Sequence, residues 1–391
     1  MGNTLLGPTI IAKESLMQLR NYMVMANLVH RDFKKEFVKI GESVTVRKPV
    51  KFLANDGQDI TNNIQTVSED SITFTINKWK NVAWNFSNRD MTLTIEEYSK
   101  RYIQPACIAL ANQVDFDLLA LYKDIFFAAG SAGTTPATFA AFGAAAQKLD
   151  EAACPQDQRY LVLNPAAKWS MADALKGIFH QRKVAGYLER GYLGTMATCD
   201  IMADQNVNSH TKGTATGTPL ANGASQTGAS LVTDGWSNSI TALNKGDIFT
   251  MPLVYAVNPV NYQSTGQLQQ FVATSDATSD GSGDCTISIS PSIITSGAYQ
   301  TVTASPANNA PLTVESSHVA NIAFNKNAFG LVTVPIELPE GASWKGRMSK
   351  EGLSVRVIKD YDIKTNAEII RLDMMYGVKT LYPELACRLM G

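Results

Sequence analysis

The chain has 391 residues, enough for two or three domains, and its 45% apolar and 18% charged residues are typical of a globular protein. Its formal net charge of −1 argues against a dedicated DNA-binding protein, which would carry a basic excess. The five cysteines include no CxxC pair, so the sequence predicts reduced, mostly buried thiols rather than a disulfide framework.

The N-terminal segment, residues 9–38, predicts a helix followed by a charged stretch. An apolar stripe at roughly helical spacing supports the helix: Leu16, Leu19, Met23, Met25 and Leu28. The run HRDFKKEF then mixes both signs of charge with Phe33 and Phe37. This run fits an arm that docks on a partner and an ordinary surface helix end equally well.

Strand signals follow over residues 43–86. VTVRKPVKF alternates valines with charged residues, and Pro49 favours an edge strand. SITFTINKW alternates Ile72, Phe74 and Ile76, and the turn-rich LANDGQDITNN lies between the two runs. The pattern predicts a long two-stranded excursion with a polar tip. A lone hairpin is marginally stable in water, so this one needs a surface to lie on.

The longest helical pattern covers residues 94–129. Thr94 and Glu97 have the spacing of a capping box at its start. Pro105 lies within the pattern and should kink or split the helix, because proline lacks a backbone donor and clashes with the preceding turn.

A second helix is predicted over residues 136–153, with Thr135 as its N-cap and a proline at its first position. RYLVLNPAAKWSMADAL then predicts a strand, an Asn-Pro break and a helix. Short strand patterns separated by turns fill residues 231–304, and residues 353–375 predict a β-hairpin with the turn KTN.

A stretch rich in Gly, Ser and Thr, residues 208–232, lies before these short strands. It lacks the Gly-Lys-Ser/Thr end of a phosphate-binding loop, so it favours a crossover into an inserted β-domain. We expect its flexible part to be residues 212–220, and the first strand of the inserted domain to begin near Ala221.

Motifs that carry chemistry are missing from the sequence. The four histidines, His30, His180, His210 and His318, are far apart and have no companion at metal-site spacing. The nucleophile-elbow, metalloprotease, phosphate-loop and dinucleotide-binding patterns do not occur. We therefore expect no catalytic residue, no cofactor, no metal site and no enzymatic activity.

Four segments resemble those of a tailed-phage major capsid protein, most of all the coat protein of short-tailed Salmonella-type phages. They are RYLVLNPAAKWSM, GDIFTMPLVYAVNP, HVANIAFNKNAFGLV and LDMMYGVKTLYPELACRL. The resemblance covers nearly the whole chain, and its strength lies in the shared order of the segments.

This resemblance implies an α+β fold of the tailed-phage and herpesvirus capsid type, with an inserted all-β domain. A long spine helix would lie in the peripheral domain. The implied divisions are an N-terminal arm (1–42), an extended β-hairpin loop (43–82), a peripheral domain (83–154 and 336–391), an axial domain (155–210 and 313–335) and an inserted β-barrel-like domain (211–312).

The implied function is self-assembly, as the major coat protein, into the icosahedral shell of a double-stranded DNA tailed phage. The shell would form as a scaffolded procapsid and expand into the mature head. Implied partners are further copies in hexamers and pentamers, a scaffolding protein, a portal protein and packaged DNA bound without sequence specificity, but no membrane. The implied location is the virion capsid, assembled in the host bacterial cytoplasm.

The candidate contact residues lie on the mixed-charge arm and the extended loop. They are Arg31, Lys34, Lys35, Glu36, Lys51, Phe52, Asp56, Asp59, Asn62 and Asn63. Lys51 and Asn55 are too common as residue types to predict a covalent crosslink between subunits. Two alternatives stay open: a cellular nanocompartment shell of the same fold, and an unrelated β-rich adhesin or enzyme, suggested by the inserted domain alone.

Overall fold

The computed structural model describes residues 8–31, 43–54, 64–65, 69–86, 99–174, 194–342, 344–350, 352–362 and 367–391. The α-helices in these ranges are α1 (Pro8–Tyr22), α2 (Met25–Leu28), α3 (Gln104–Leu119), α4 (Phe139–Glu151) and α5 (Pro165–Ala174). A π-helical turn, Ser99–Ile103, precedes α3, and 3-10 turns lie at Ala120–Asp124, Lys326–Ala328 and Pro383–Leu385.

The described strands are numbered in chain order. They are β1 (Ser43–Arg47), β2 (Ser71–Thr75), β3 (Lys78–Phe86), β4 (Ala128–Ala129), β5 (Arg159–Leu163), β6 (Thr195–Met196), β7 (Cys199–Ala203), β8 (Ser209–His210), β9 (Gly217–Ala221), β10 (Gly228–Trp236), β11 (Thr241–Leu243), β12 (Ile248–Val257), β13 (Ser264–Ala273), β14 (Ala277–Thr278), β15 (Cys285–Ile293), β16 (Thr313–Val314), β17 (His318–Asn325), β18 (Phe329–Val334), β19 (Trp344–Lys350), β20 (Leu353–Asp362), β21 (Ala367–Thr380) and β22 (Ala386–Met390).

The chain divides into two compact units, each built from several chain segments. Unit 1 comprises Met1–Arg47, Ser71–Leu118 and Phe329–Leu381. Unit 2 comprises Lys48–Asp70, Leu119–Ala328 and Tyr382–Gly391. Five described helices and many largely antiparallel strands make this a mixed fold of helices and sheets, in agreement with the expected α+β class.

Unit 1 is built on a sheet whose described strands run β18-β21-β20-β19, with β3 also pairing β21. The predicted hairpin is present as the antiparallel pair β20–β21. The predicted two-stranded excursion is confirmed as the antiparallel pair β1–β2. SITFTINKW is not one strand, since its first half pairs with β1 and the chain then pairs with β21 from Lys78 onward.

The predicted N-terminal stripe is buried in unit 1, because α1 lays its apolar side on β19 and β20. Leu19 and Met25 are fully buried. Asp115 on α3 accepts the backbone N–H groups of Val24 (2.7 Å) and Ala26 (2.9 Å). This carboxylate satisfies donors at the start of α2, as a capping residue would do from within its own helix.

The predicted long helix is shorter and less regular than its pattern suggests. The π-turn passes into α3 beside Pro105, so the predicted irregularity at this proline is confirmed. The predicted end at Ala129 is wrong. A 3-10 turn ends at Asp124, and Ala128–Ala129 forms a strand parallel to β22 instead. The capping box of Thr94 and Glu97 lies outside the described residues.

One sheet of unit 2 has the described order β4-β22-β17-β5-β7-β6, with β8 also paired to β17. Helix α4 packs on β4 and β22, burying Phe142 and Leu149. The strand, Asn-Pro break and helix are confirmed as β5 and α5. The predicted cap of α4 is wrong: the helix begins at Phe139, and Thr138 Oγ1 accepts the Ala141 N–H at 3.3 Å.

Residues 213–314, called here the β-domain, form a second sheet in unit 2, with the described order β16-β12-β13-β15-β10-β9. It has its own apolar core, which includes Leu231, Trp236 and Phe271. The expected all-β insertion is therefore present as a folded element.

The predicted flexible linker, residues 212–220, is wrong. The Thr214 and Ala215 N–H groups bond to the carbonyls of Thr241 and Ala242, and β9 begins at Gly217. A Cβ atom at Gly213 would lie 2.7 Å from the Ala242 carbonyl oxygen. Glycine is therefore needed for close backbone approach here, and not for freedom of movement.

Two strands pair outside the groups in which the capsid resemblance would place them. Phe329–Val334, expected with the axial segments, pairs with β21 in unit 1. Ala386–Met390, expected with the peripheral segments, pairs with β17 in unit 2.

Candidate functional site

Arg31, a predicted contact residue, lies in unit 1 just after α2. Its Nη1 atom donates to Asn27 Oδ1 at 3.5 Å, and the residue is half-buried. The neighbouring His30 accepts and donates backbone hydrogen bonds with β18, through Leu331 N–H and Phe329 O. The structure thus fixes the backbone at the first residue of the mixed-charge run.

Lys51 and Phe52, at the base of the extended loop, lie in unit 2. The Lys51 N–H donates to the hydroxyl of Tyr299 in the β-domain at 3.2 Å. The side chain of Phe52 is 58% exposed.

The other seven predicted contact residues lie outside the described residues. They are Lys34, Lys35, Glu36, Asp56, Asp59, Asn62 and Asn63. Their contact role stays a prediction. Of the predicted set, Lys51 and Phe52 are neighbours in unit 2, whereas Arg31 belongs to unit 1.

Several exposed apolar side chains were not singled out from the sequence. Leu253 is 68% exposed and has a positive φ of 65°, unusual for a non-glycine residue. It lies in a bulge of β12, between the register pairs Thr250–Gln270 and Tyr255–Leu268. Trp169 on α5 and Phe139 at the start of α4 are also exposed. Single exposed apolar residues are normal, so they do not define one docking patch.

A buried polar cluster lies where the chain passes into and out of the β-domain. Its members, together called the crossover cluster, are Tyr122, His210, Asp247, His318 and Arg388. His210 Nε2 lies 2.7 Å from Asp247 Oδ1, and His210 Nδ1 lies 3.1 Å from the Tyr122 hydroxyl. Since Asp247 can only accept when ionised, His210 donates from Nε2 and its Nδ1 accepts from tyrosine.

Asp247 also organises the backbone around it. Its Oδ2 accepts the Gly213 N–H at 2.9 Å and the Asn244 N–H at 2.8 Å. One carboxylate therefore joins the first β-domain residue after β8 to the turn that precedes β12. Asp247 itself is 1% exposed.

Arg388, in the middle of β22, is fully buried. Its Nη1 and Nη2 atoms donate to the carbonyls of Gly246 and Ile125, both at 2.7 Å. Its guanidinium carbon lies 5.1 Å from the centre of the Tyr122 ring, at cation–π distance. The arginine thus ties a turn of the β-domain to the segment that follows α3.

His318 completes the cluster from β17. Its Nδ1 donates to the Ser316 carbonyl at 2.8 Å, which leaves Nε2 as the lone-pair nitrogen. Among the described atoms, His318 Nε2 and Arg388 Nε are buried without a hydrogen-bond partner. Burial lowers the pKa of His318 to about 4, and the positive charge of Arg388 acts in the same direction. Burial also lowers the pKa of Arg388, to about 10, which keeps it charged at neutral pH.

Unit 1 contains polar anchors of another kind. Asp373, fully buried on β21, accepts from Arg356 Nη2 (2.6 Å), Arg371 Nε (2.6 Å) and Trp79 Nε1 (3.2 Å). Asp117 on α3 accepts from the Tyr376 hydroxyl at 2.7 Å and pairs with Lys78 at 3.0 Å. These contacts bind α3 and β3 to the long strand β21.

The described cysteines are free and buried, as predicted. Burial raises the pKa of Cys107 to about 12 and that of Cys199 to about 11. Little thiolate is therefore present at neutral pH, and these side chains are poor nucleophiles. Within the described ranges no three His, Cys, Asp or Glu side chains are grouped as a metal site would require. The helices there include none long and apolar enough to span a membrane.

Sequence reasoning missed the crossover cluster because its members are distant in the chain. The interpretation that the histidines are far apart holds along the sequence, but β8 and β17 place His210 opposite His318. One signal was available: Arg388 stands alone in the apolar run LACRLM, where a buried arginine needs partners.

Comparison with known proteins gives one family and several structures. The model of the family described as "P22 coat protein - gene protein 5" matches residues 3–391. A solved structure from Mycobacterium phage Che8 is similar with a TM-score of 0.50 and 13% identity, covering 94% of this chain and 90% of that chain. The capsid structure of the Cyanophage P-SCSP1u has a TM-score of 0.47 and 12% identity, covering 90% of this chain and 84% of that chain.

The CUS-3 coat protein I-domain is 24% identical with a TM-score of 0.19, covering 25% of this chain and 96% of that chain. A comparison with curated protein sequences finds no match. The Che8 likeness and the family match together show the fold, which is the tailed-phage capsid fold expected from the sequence. The expected family is confirmed as well: since the family model covers residues 3–391, the chain belongs to the P22 coat protein family.

Proposed function

We propose that this coat protein builds the icosahedral shell of a tailed double-stranded DNA phage, arranged in hexamers and pentamers. The observation that carries the proposal is the family match over residues 3–391. Each contact between subunits is weak, on the order of −4 kcal/mol, and many contacts in a closed shell give a stable particle. Weak single contacts also let wrongly added subunits dissociate.

The shell forms first as a procapsid around a scaffolding protein, takes a portal protein at one site, and expands as DNA is packaged. The net charge of −1 supports a wall that encloses DNA without sequence-specific binding. The free, buried cysteines suit assembly in the reducing cytoplasm of the host. The final location is the virion capsid.

Electron microscopy of the full chain, expressed with and without the scaffolding protein, tests this function. Closed shells of uniform size are expected with the scaffold. Monomers and irregular aggregates under both conditions would refute the assembly proposal.

The arm and the extended loop supply contacts to neighbouring subunits or to the scaffold. The exposed ring of Phe52 and the backbone hydrogen bonds of His30, next to Arg31, support this part of the proposal. Reversing the charges of Lys34 and Lys35 (K34E/K35E) should reduce shell yield in sedimentation, with a stronger defect at low salt, where charge contacts count most. The matched variant K34R/K35R keeps the charge and should assemble normally. Equal yields for the two variants would remove the arm from the contact set.

A further inference from the structure

Two histidines face each other at the point where the chain enters and leaves the β-domain. His210 on β8 and His318 on β17 are directly opposed in an antiparallel pair, with ring centres 5.3 Å apart. Each is only 3% exposed. A change in the charge of either ring therefore acts on the two strands that carry the β-domain.

The charges around His318 are balanced when both histidines are neutral. His318 is faced by His210 from β8, Arg388 from β22 and Asp247 from the turn before β12. Tyr122, from the 3-10 turn after α3, contacts His210 and Arg388. The formal charges of Arg388 and Asp247 cancel. A proton on His318 would leave the cluster with an unbalanced positive charge that water does not reach.

An extra proton on His318 would have no acceptor within hydrogen-bond distance among the described atoms. Asp247 is directed toward His210, Gly213 and Asn244. The carbonyls of Gly246 and Ile125 are directed toward Arg388. His318 Nε2, the atom that would take the proton, has no partner among the described atoms.

We propose that the crossover cluster is a pH-sensitive lock: in mild acid, protonation of His318 beside Arg388 separates β8 from β17 and releases the β-domain from the strands that carry it. The lock is a property of the folded chain and does not depend on shell assembly. It is closed at neutral pH by the contacts of Asp247 and Arg388.

The sign of the pH dependence follows from the histidine. Burial holds the pKa of His318 at about 4, below its ordinary value of 6.5, so the closed form resists protonation. Once β8 and β17 separate, the ring meets water and regains an ordinary pKa. Between pH 6.5 and about 4 the open form binds one more proton than the closed form, so opening rises about tenfold for each unit of acidification. Above pH 6.5 the equilibrium between the closed and open forms does not change with pH.

Hydrogen exchange of the full chain, read by mass spectrometry from pH 7.5 to pH 5, tests the proposal. After correction for the intrinsic pH dependence of exchange, peptides that cover residues 208–213 and 315–320 should lose about tenfold in protection per pH unit below 6.5. Peptides from β20 and β21 in unit 1 should keep their protection.

The variant H318N removes the group that takes up the proton while keeping its hydrogen bond to the backbone. An asparagine amide can still donate to the Ser316 carbonyl but cannot take up a proton, so its crossover peptides should show no pH dependence. H30N, which removes a histidine from unit 1, should keep the wild-type profile. If H318N does not fold, H318Q serves the same purpose.

Three results would overturn the lock. They are a flat profile in the wild-type chain, the same slope in H318N or H318Q as in the wild type, and equal loss of protection in unit 1. If neither variant folds, the wild-type profile decides: a slope confined to the crossover peptides supports the lock, and a flat or uniform profile refutes it.

Discussion

The two units bury polar side chains in different ways. In unit 1, carboxylates on α3 and β21 accept from lysine, arginine, tyrosine, tryptophan and backbone donors, as at Asp115, Asp117 and Asp373. In unit 2, a single carboxylate and a single arginine share the crossover cluster with His210 and His318. Histidine is the side chain whose charge changes most readily near neutral pH.

The two kinds of buried contact differ in how they respond to a chemical change. The anchors of unit 1 join elements through pairs of donor and acceptor that are complete as they stand. The crossover cluster is not fully paired, since His318 Nε2 and Arg388 Nε are buried without a partner among the described atoms. A buried polar group left unpaired is costly, so small chemical changes have large effects there.

Arg388→Met should have the largest effect. It leaves the carbonyls of Gly246 and Ile125 without their donor and Asp247 without a compensating charge. We expect the opening free energy of unit 2 to fall by about 4 kcal/mol, measured by hydrogen exchange in urea. R388K keeps the positive charge, so the opening free energy of unit 2 should fall by less than in R388M. If R388M is as stable as the wild type, the cluster does not hold the β-domain.

Asp373→Asn makes the equivalent change in unit 1. It leaves the buried Arg356 without a charged partner, and we expect a loss of about 3 kcal/mol in the unfolding free energy of unit 1. The loss should be the same at pH 7 and pH 5, because the contacts of Asp373 include no histidine among the described residues. If the loss of unfolding free energy differed between pH 7 and pH 5, the buried contacts of unit 1 would also depend on pH, and the two units would not differ in this respect.

Acidification of the wild-type chain from pH 7 to pH 5 should have the next largest effect. The depressed pKa of His318, about 4, means that stability is present above pH 6.5 and is lost as the pH falls. We expect unit 2 to lose about 2 kcal/mol, measured by urea unfolding at the two pH values. H318N should remove most of this loss, and an unchanged loss in H318N would assign it to another group.

Tyr376→Phe should have the smallest effect of the four. Burial and Asp117 raise the pKa of Tyr376, so its hydroxyl stays protonated and donates to that carboxylate. Asp117 keeps its contact with Lys78 in the variant. We therefore expect a loss of about 1.5 kcal/mol in the urea unfolding of unit 1. A loss as large as that of D373N would mean that Asp117 depends on tyrosine more than on lysine.

The sequence predicted elements whose signal is local. The buried stripe from Leu16 to Leu28 has a helical period, and β1–β2 and β20–β21 have alternating patterns. The break near Pro105 followed from the chemistry of proline. Family membership followed from the order of the segments, although none of them is specific alone.

Other features depend on contacts that are distant in sequence. Ala128–Ala129 continues a helical pattern but is a strand because β22 offers it a partner. Residues 212–220 have the composition of a linker, yet their backbone is bound by residues of β11 and by Asp247. The crossover cluster joins side chains from five separate elements, which no periodicity can reveal.

The pairing of β8 with β17 also determines how the β-domain is attached. Its two chain connections are one strand spacing apart, about 5 Å, so the β-domain enters and leaves the fold at a single pair of adjacent strands. Modules with adjacent ends can be exchanged without moving the scaffold that carries them. A replacement must still offer Arg388 the carbonyl it takes from Gly246, and offer His210 the carboxylate of Asp247. The turn Asn244–Asp247 is therefore the part of the β-domain that any replacement domain has to reproduce.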